Sequence, residues 1–345
     1  MSELIPLIKE LILTPGVSGF ESEISQFIVS KIEDYVDEVK IDRMGNVLAR
    51  VSGKGAARVL IDAHMDEVGL IVKAIDDKGF IRFEVMGGLD DRVLPAQRVI
   101  IHTKKGNING SIGVVPPHFT TGKERDRVIP YQNLFIDIGA SSKEEAVEAG
   151  VGIIDPITLQ RGLDELLGTR ICGKAFDDRI GCLVAMECIR KLNDQELEAD
   201  ILYSFSVEEE RGLRGATVSA YSLEPEIAFP VDTTGAADFP GVKPYTTTIE
   251  IGKGPVIRAV DVKFVSDRQP REMLIETAEK LNIPYQVAVA MGSTNGAAVQ
   301  LSREGVATCP LCVPLRYTHS PVEIVDLKDI ENTIKLLTET LKTII

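Results

Sequence analysis

The 345-residue chain predicts an α/β fold, a mostly parallel sheet with helices on both faces, interrupted by a small all-β domain. Two observations carry this. Before residue 67 and after residue 163, strand-like apolar runs alternate with helical stretches, the pattern of a parallel sheet with crossover helices. Between 68 and 162 that alternation stops, and short β-rich runs follow one another between turn residues. The expected organisation is one α/β domain, 1–67 and 163–345, carrying a β-rich insert at 68–162.

Residues 3–13 read as a helix. A second begins after Ser18, where Glu21 three residues on makes a capping box. Ile24, Phe27, Ile28, Ile32 and Tyr35 then mark one apolar face at helical spacing. Strand VKID, a Gly45-Asn46 turn and strand VLARV follow. The nearly continuous apolar run RVLIDAH reads as a strand buried on both faces. In the insert, GLIVKAI, FIRFEVM, RVIIHT, GSIGVV, LFIDIG and DPITLQ are short strands, with turns at Asp77-Lys78-Gly79 and Lys105-Gly106-Asn107. PPHFTTGKERDR, residues 116–127, reads as a mobile loop. Alternation resumes with a helix near Asp177, a strand over 200–207 and a helix over 213–222. Strands EIAFPVD and VIRAVDV, a helix over 270–281, strand YQVAVA, a helix from about Asn295 and strand ATCPLCV come next. Asp326 caps a final helix.

A net charge of −14 argues against a nucleic-acid or anionic-membrane partner, either of which would need a basic patch. The N-terminus lacks a basic segment followed by a clean apolar stretch, so it does not read as a signal peptide. No run reaches about 18 uncharged apolar residues, the length needed to span a membrane. The five cysteines, with Cys172, Cys182 and Cys188 among apolar residues, look like thiols of a reducing compartment. The expected location is therefore cytoplasmic. Cys309 and Cys312 form a C-x-x-C inside the apolar run TCPLCVPL with no second pair, and read as buried thiols rather than a zinc or redox site.

The chemistry sits at element ends. His64 and Asp66 close RVLIDAHMD, Glu209 and Glu210 close ILYSFSVEEE, Asp232 closes EIAFPVD, and His319 follows CVPL. Asp177 adds a carboxylate at a helix start. In open α/β sheets, ligands bind in the crevice beyond the carboxyl ends of the strands. Each residue alone has a plainer reading: Asp177 and Asp178 could be a helix cap, and the Glu triplet a solvated strand end. Their recurrence at successive ends is what points to a site. A single catalytic zinc takes three protein ligands, whereas five candidates suit two ions. Such a pair activates a water and polarises a carbonyl or phosphoryl oxygen, with a neighbouring free carboxylate as general base. His102 in an apolar strand and His118 in the loop read as non-catalytic.

The segments AHMDEVG (63–69), GKAFDDRIG (173–181), EEERGLRGA (208–216), PVDTT (230–234) and YTHSPVE (317–323) occur in the order found in the M42 metallo-aminopeptidases, which this chain resembles over essentially its whole length. The resemblance implies two divalent ions per subunit, zinc or cobalt. It implies that His64 and Asp232 bind one ion, Glu210 and His319 the other, with Asp177 bridging. Asp66 would orient His64 and Glu209 would be the general base and acid. It further implies a zinc-peptidase-like α/β domain whose insert mediates assembly into a homo-oligomer, a hollow dodecamer, and short peptides as substrates. Two rivals stay open: a two-metal deacylase of N-acylated amino acids, and a weakly active assembly scaffold. Departures motivate the second. Glu208 and Arg211 flank the Glu pair, and Asn295 stands where the family carries the aspartate of a Gly-Thr-Asp segment.

Overall fold

The apolar run RVLIDAH forms the central strand of a nine-stranded sheet in the computed structural model, which describes residues 3–122, 127–243 and 245–344. Taken in chain order, the N-terminal part contains α1 (Ile5–Leu13), α2 (Ser22–Ile32), β1 (Glu38–Ile41), β2 (Val47–Val51) and β3 (Arg58–His64). Next come β4 (Gly69–Ile75), β5 (Ile81–Met86), β6 (Arg98–Thr103), β7 (Gly106–Gly113), β8 (Phe135–Asp137), α3 (Lys143–Ala149) and β9 (Pro156–Leu159). The remainder begins with β10 (Asp164–Glu165), β11 (Arg170–Gly173), α4 (Phe176–Leu192), β12 (Asp200–Ser206), α5 (Arg214–Leu223) and β13 (Ile227–Gly235). It ends with β14 (Val256–Val260), α6 (Arg268–Leu281), β15 (Gln286–Val289), α7 (Gly296–Val299), β16 (Ala307–Thr308), β17 (Leu311–Leu315), β18 (Glu323–Asp326) and α8 (Leu327–Leu341).

Two units result. One comprises Met1–Asp66, Gly162–Thr318 and Val322–Ile345; the other comprises Glu67–Arg161 and His319–Pro321. The larger unit holds the sheet β1-β2-β12-β3-β13-β17-β14-β15, with β16 paired to β13. β12, β3, β13 and β17 run parallel, while β1 and β2 form an antiparallel edge and β14 opposes β17. Successive strand residues point to opposite faces, and β3 shows both faces covered. Val59, Ile61 and Ala63 join a core cluster with Ile180, Val184 and Leu183 of α4, whereas Leu60 packs in a separate cluster with Ala216 and Ala220 of α5. Helices thus lie on both sides of the sheet. A small antiparallel sheet, β10-β11-β18, accompanies it. The expected strand ATCPLCV is broken into β16 and β17 at Cys309-Pro310, because proline has no N–H to give a ladder.

In the smaller unit, β4-β5-β8-β7-β6-β9 close into a barrel. Its interior takes alternate residues, such as Leu70 and Val72, Ile81 and Phe83, Val99 and Ile101. Calling this module all-β requires an amendment: α3 is a helix. Ser142 caps it by accepting from the Glu145 N–H, and Gly150, at φ 116°, ends it. Within the loop expected at 116–127, Pro117–Phe119 make a 3-10 turn, and residues 123–126 lie outside the described residues. The unit also takes in His319, Ser320 and Pro321, which the sequence reading had assigned to the α/β domain.

Candidate metal centre

Parallel register brings the site residues to one sheet edge. β12 and β3 end side by side, Ser206 opposite His64, and β13 flanks β3 on its other side with Pro230 opposite Asp62. Asp232 therefore arrives level with His64. Asp177 comes from the start of α4, where the N–H groups of Phe176 and Asp177 donate to Glu323 Oε2 at 2.7 and 3.3 Å. Glu323, 1% exposed, is the acceptor that fixes this helix start. Of the adjacent pair, Asp178 does the capping: its Oδ1 accepts from the Gly181 N–H at 2.9 Å, leaving Asp177 to the site.

His64 is buried between carboxylates. Its Nδ1 lies 3.1 Å from the Asp66 carbonyl and 3.4 Å from Asp66 Oδ1. That contact fixes a proton on Nδ1 and turns Nε2 toward the other carboxylates. Nε2 in turn stands 3.2 Å from Asp177 Oδ1 and 3.9 Å from Asp232 Oδ1. Burial opposes a charge on the ring, but the Asp177 and Asp66 carboxylates outweigh it and hold its pKa well above the ordinary value. Without a cation the ring therefore carries a proton on Nε2 toward Asp177; a divalent ion at that position would displace it and take Nε2 as a ligand atom.

The carboxylates are crowded too. Burial and then the Asp177 charge push Asp232 up to about 7. Burial, Asp232 and Glu210 push Glu209 well above the carboxylate range, and burial followed by Asp232 does so for Asp178. One ligand atom from each of His64, Asp177 and Asp232 lies within 4.8 Å of the others, as does one from each of His64, Glu209 and Glu210. Imidazole and carboxylate donors at this density, the His64, Asp177 and Asp232 set buried, fit a divalent metal ion.

Two adjacent glutamates, Glu209 and Glu210, both reach the site because the chain leaves the strand. After Val207, Glu208 adopts φ 51° and Gly212 φ 114°, and the carbonyl of Glu209 accepts from the N–H groups of Gly212 and Leu213. Asp66 supports the turn from below, its Oδ1 accepting from Glu209 N at 2.9 Å and its Oδ2 from Glu210 N at 3.1 Å. Its work is thus wider than orienting His64. Glu208 points elsewhere, to Arg214 Nε at 2.8 Å.

The larger unit therefore gathers His64, Asp66, Asp177, Glu209, Glu210 and Asp232. His319 falls in the smaller unit, half-buried at φ 60°, with Nδ1 3.0 Å from the Gly88 carbonyl. That contact leaves Nε2 as its basic nitrogen. His102 bridges Asn107 and Thr158 within the barrel, a structural role. All five cysteines, Cys309 and Cys312 included, are buried thiols that form no disulfide. Among the described residues, no helix is long and apolar enough to cross a membrane.

Sequence reasoning passed over several supports. The Ser18 hydroxyl does not cap α2 but donates to Asp66 Oδ2 at 2.5 Å. Glu323 lay inside a quoted motif, YTHSPVE, without being given a role. The departure at Asn295 has a partner: its Nδ2 donates to Asp62 Oδ1 at 2.6 Å and to Ser206 Oγ at 2.9 Å, all three buried.

Comparison with known proteins gives the same direction. The family model for M42 glutamyl aminopeptidase matches residues 45–336. The chain is 41% identical to a lysyl aminopeptidase of Pyrococcus furiosus, covering 96% of this chain and 94% of that one. A TET aminopeptidase from Thaumarchaeota archaeon SCGC AB-539-E09 superimposes with a TM-score of 0.95 at 37% identity, over 98% of this chain and 96% of that chain. Pyrococcus horikoshii TET1 peptidase, described as able to assemble into a tetrahedron or a large octahedral shell, gives 0.91 at 38% identity over 99% of both chains. With this match along most of its length, the chain belongs to the M42 glutamyl aminopeptidase family and is a peptidase of aminopeptidase type.

Proposed function

We propose that the protein is a two-metal aminopeptidase that releases the N-terminal residue of short peptides. The observation that carries this is the buried crowding of His64, Asp177 and Asp232, whose ligand atoms lie within 4.8 Å of one another. His64 and Asp232 would hold one ion, zinc or cobalt, and Glu210 and His319 the other, with Asp177 shared. When bound, the ions lower the pKa of a water and polarise the scissile carbonyl. The chain's own groups do the rest. Glu209 takes a proton from the attacking water and returns it to the departing amine nitrogen. Asp66 holds His64 by its Nδ1 side and keeps the Glu209 and Glu210 amides in place. The assembly described for the Pyrococcus horikoshii relative supports a large homo-oligomer; in this reading the barrel unit is its contact element, and the subunits cleave short peptides in the cytoplasm.

One experiment separates this reading from a deacylase. Chelation should abolish hydrolysis of a short peptide, and zinc or cobalt should restore it. On the restored enzyme, the free-amine peptide should be cleaved and its N-acetylated twin left intact. Full activity in a preparation shown to be metal-free, or preference for the acetylated twin, rules the proposal out.

A further inference from the structure

The turn that carries the Glu triplet rests on more than Asp66. Three successive backbone N–H groups leave the end of β12 and all three are taken by carboxylates. Two go to Asp66. The first, from Glu208, goes to Glu21 Oε1 at 3.0 Å, and the same oxygen accepts from the Gly19 N–H at 2.8 Å. Glu21 is 6% exposed and Ser18 is fully buried. The Ser18-Gly19-Phe20-Glu21 segment thus reaches the turn twice, through Ser18 on Asp66 and directly through Glu21.

The contact falls where the backbone most needs it. Glu208 adopts φ 51°, a left-handed conformation that side-chain-bearing residues adopt at a cost and keep only when their surroundings hold them. Its hydrogen bond to Glu21 is partly buried, and a donor withdrawn from water without an acceptor is disfavoured. With Glu21 removed, nothing else named here accepts that N–H, and the residue free to relax is the one preceding Glu209. Glu208's own side chain is turned away to Arg214, so its carboxylate does not compete for the site.

We infer that Glu21 is a positioning residue for the reaction: by accepting the Glu208 N–H it sets the left-handed turn that aims Glu209 at the metal centre. This rests on the reading of Glu209 as the proton shuttle. Glu21 touches neither substrate nor ions and acts through the backbone alone. What counts is an acceptor oxygen at that distance, so an amide should serve nearly as well as a carboxylate.

The test is a double-mutant cycle on the metal-loaded enzyme, reading kcat, KM and metal content per folded molecule. Glu21→Ala should lower kcat about tenfold or more, since small misplacements of a reacting group cost this much, with KM within about twofold and metal content unchanged. Glu21→Gln should recover most of that loss. In the Glu209→Gln background, Glu21→Ala should change kcat by less than about twofold, because its effect runs through a side chain no longer functional. If Glu21→Ala does not fold, Glu21→Asp, which draws the carboxylate back by about one C–C bond of about 1.5 Å, should show the same kcat loss. Full kcat in the folded Ala or Asp variant, or a loss that multiplies with that of Glu209→Gln, overturns the inference while leaving Glu209 in its role. A fully active Glu209→Gln enzyme instead removes the reading of Glu209, and the inference with it.

Discussion

Replacing each member of the Glu triplet by glutamine separates three roles packed into three consecutive residues. The Glu208 carboxylate pairs with Arg214 at 2.8 Å, with side chains 25% and 59% exposed. An ion pair so wetted contributes about 0–1 kcal/mol, so Glu208→Gln should leave kcat and metal content close to wild type. Glu209 has its backbone fixed by Asp66 rather than by its own side chain. Glu209→Gln should therefore keep the turn and both ions yet lose about 10²-fold or more in kcat, the scale of a general base, or about 2.7 kcal/mol at the transition state. Glu210→Gln swaps an anionic ligand for a neutral amide. It should weaken metal binding by more than the about tenfold that loss of a supporting contact costs, and excess metal should restore part of the activity. The assay is kcat on a short peptide beside metal stoichiometry by elemental analysis. If Glu208→Gln proves the dead, metal-replete enzyme, the assignment of Glu209 is off by one residue and the reasoning fails.

Other outcomes follow from the supports around the site. Arg179 is wholly buried and donates through Nε to the Met65 carbonyl at 2.7 Å and through Nη1 to those of Leu11 and Thr14 at 2.5 and 2.9 Å. Arg179→Met keeps bulk but strands three acceptors, and should cost about 3–5 kcal/mol of stability in urea titration; a loss under 1 kcal/mol contradicts this. Asn295→Asp sets a second carboxylate where Nδ2 now lies 2.6 Å from Asp62 Oδ1. It should destabilise by about 2 kcal/mol or more, and Asp62→Asn in the same chain should recover at least half, which thermal melts decide. Glu21 is pushed from 4.5 to about 7 by burial and the Asp66 charge. The folded chain thus holds a proton there that the unfolded chain gives up above pH 4.5, so this group's contribution falls as pH rises from 4.5 to 7 and is lowest above 7. Wild type should lose about 3 kcal/mol relative to Glu21→Gln across that window; a difference that does not grow with pH refutes it.

The elements were legible in the chain because their signals are local. The run RVLIDAH is apolar at nearly every position, which only a strand covered on both faces requires, and β3 has α4 on one side and α5 on the other. Alternation in stretches such as Ile81 to Phe83 announced a half-buried strand, which the barrel uses. The same β texture hid α3, although Ser142, Glu145 and Gly150 stood there as cap and stop. Candidate site residues could be listed beforehand because most stand near a strand end or open a helix, and parallel order sends such ends to one edge; His319 instead lies in the smaller unit.

What the sequence by itself determined, then, was a set of strands and helices and the acidic and imidazole groups at their ends. What only the tertiary structure decided was how those groups are held. Ser18 meets Asp66 across 48 residues, Glu21 meets Glu208 across 187, and Asn295 meets Asp62 across 233. A periodicity reports which face of an element is buried; it carries no record of the segment arriving to cover it. Ser18 and Glu21 have the local spacing of a capping box, and that reading is complete without any knowledge of Asp66 or Glu208. A buried donor takes whichever acceptor the fold brings within about 3 Å, and that partner is set by strand order and register, not by the neighbours in the chain.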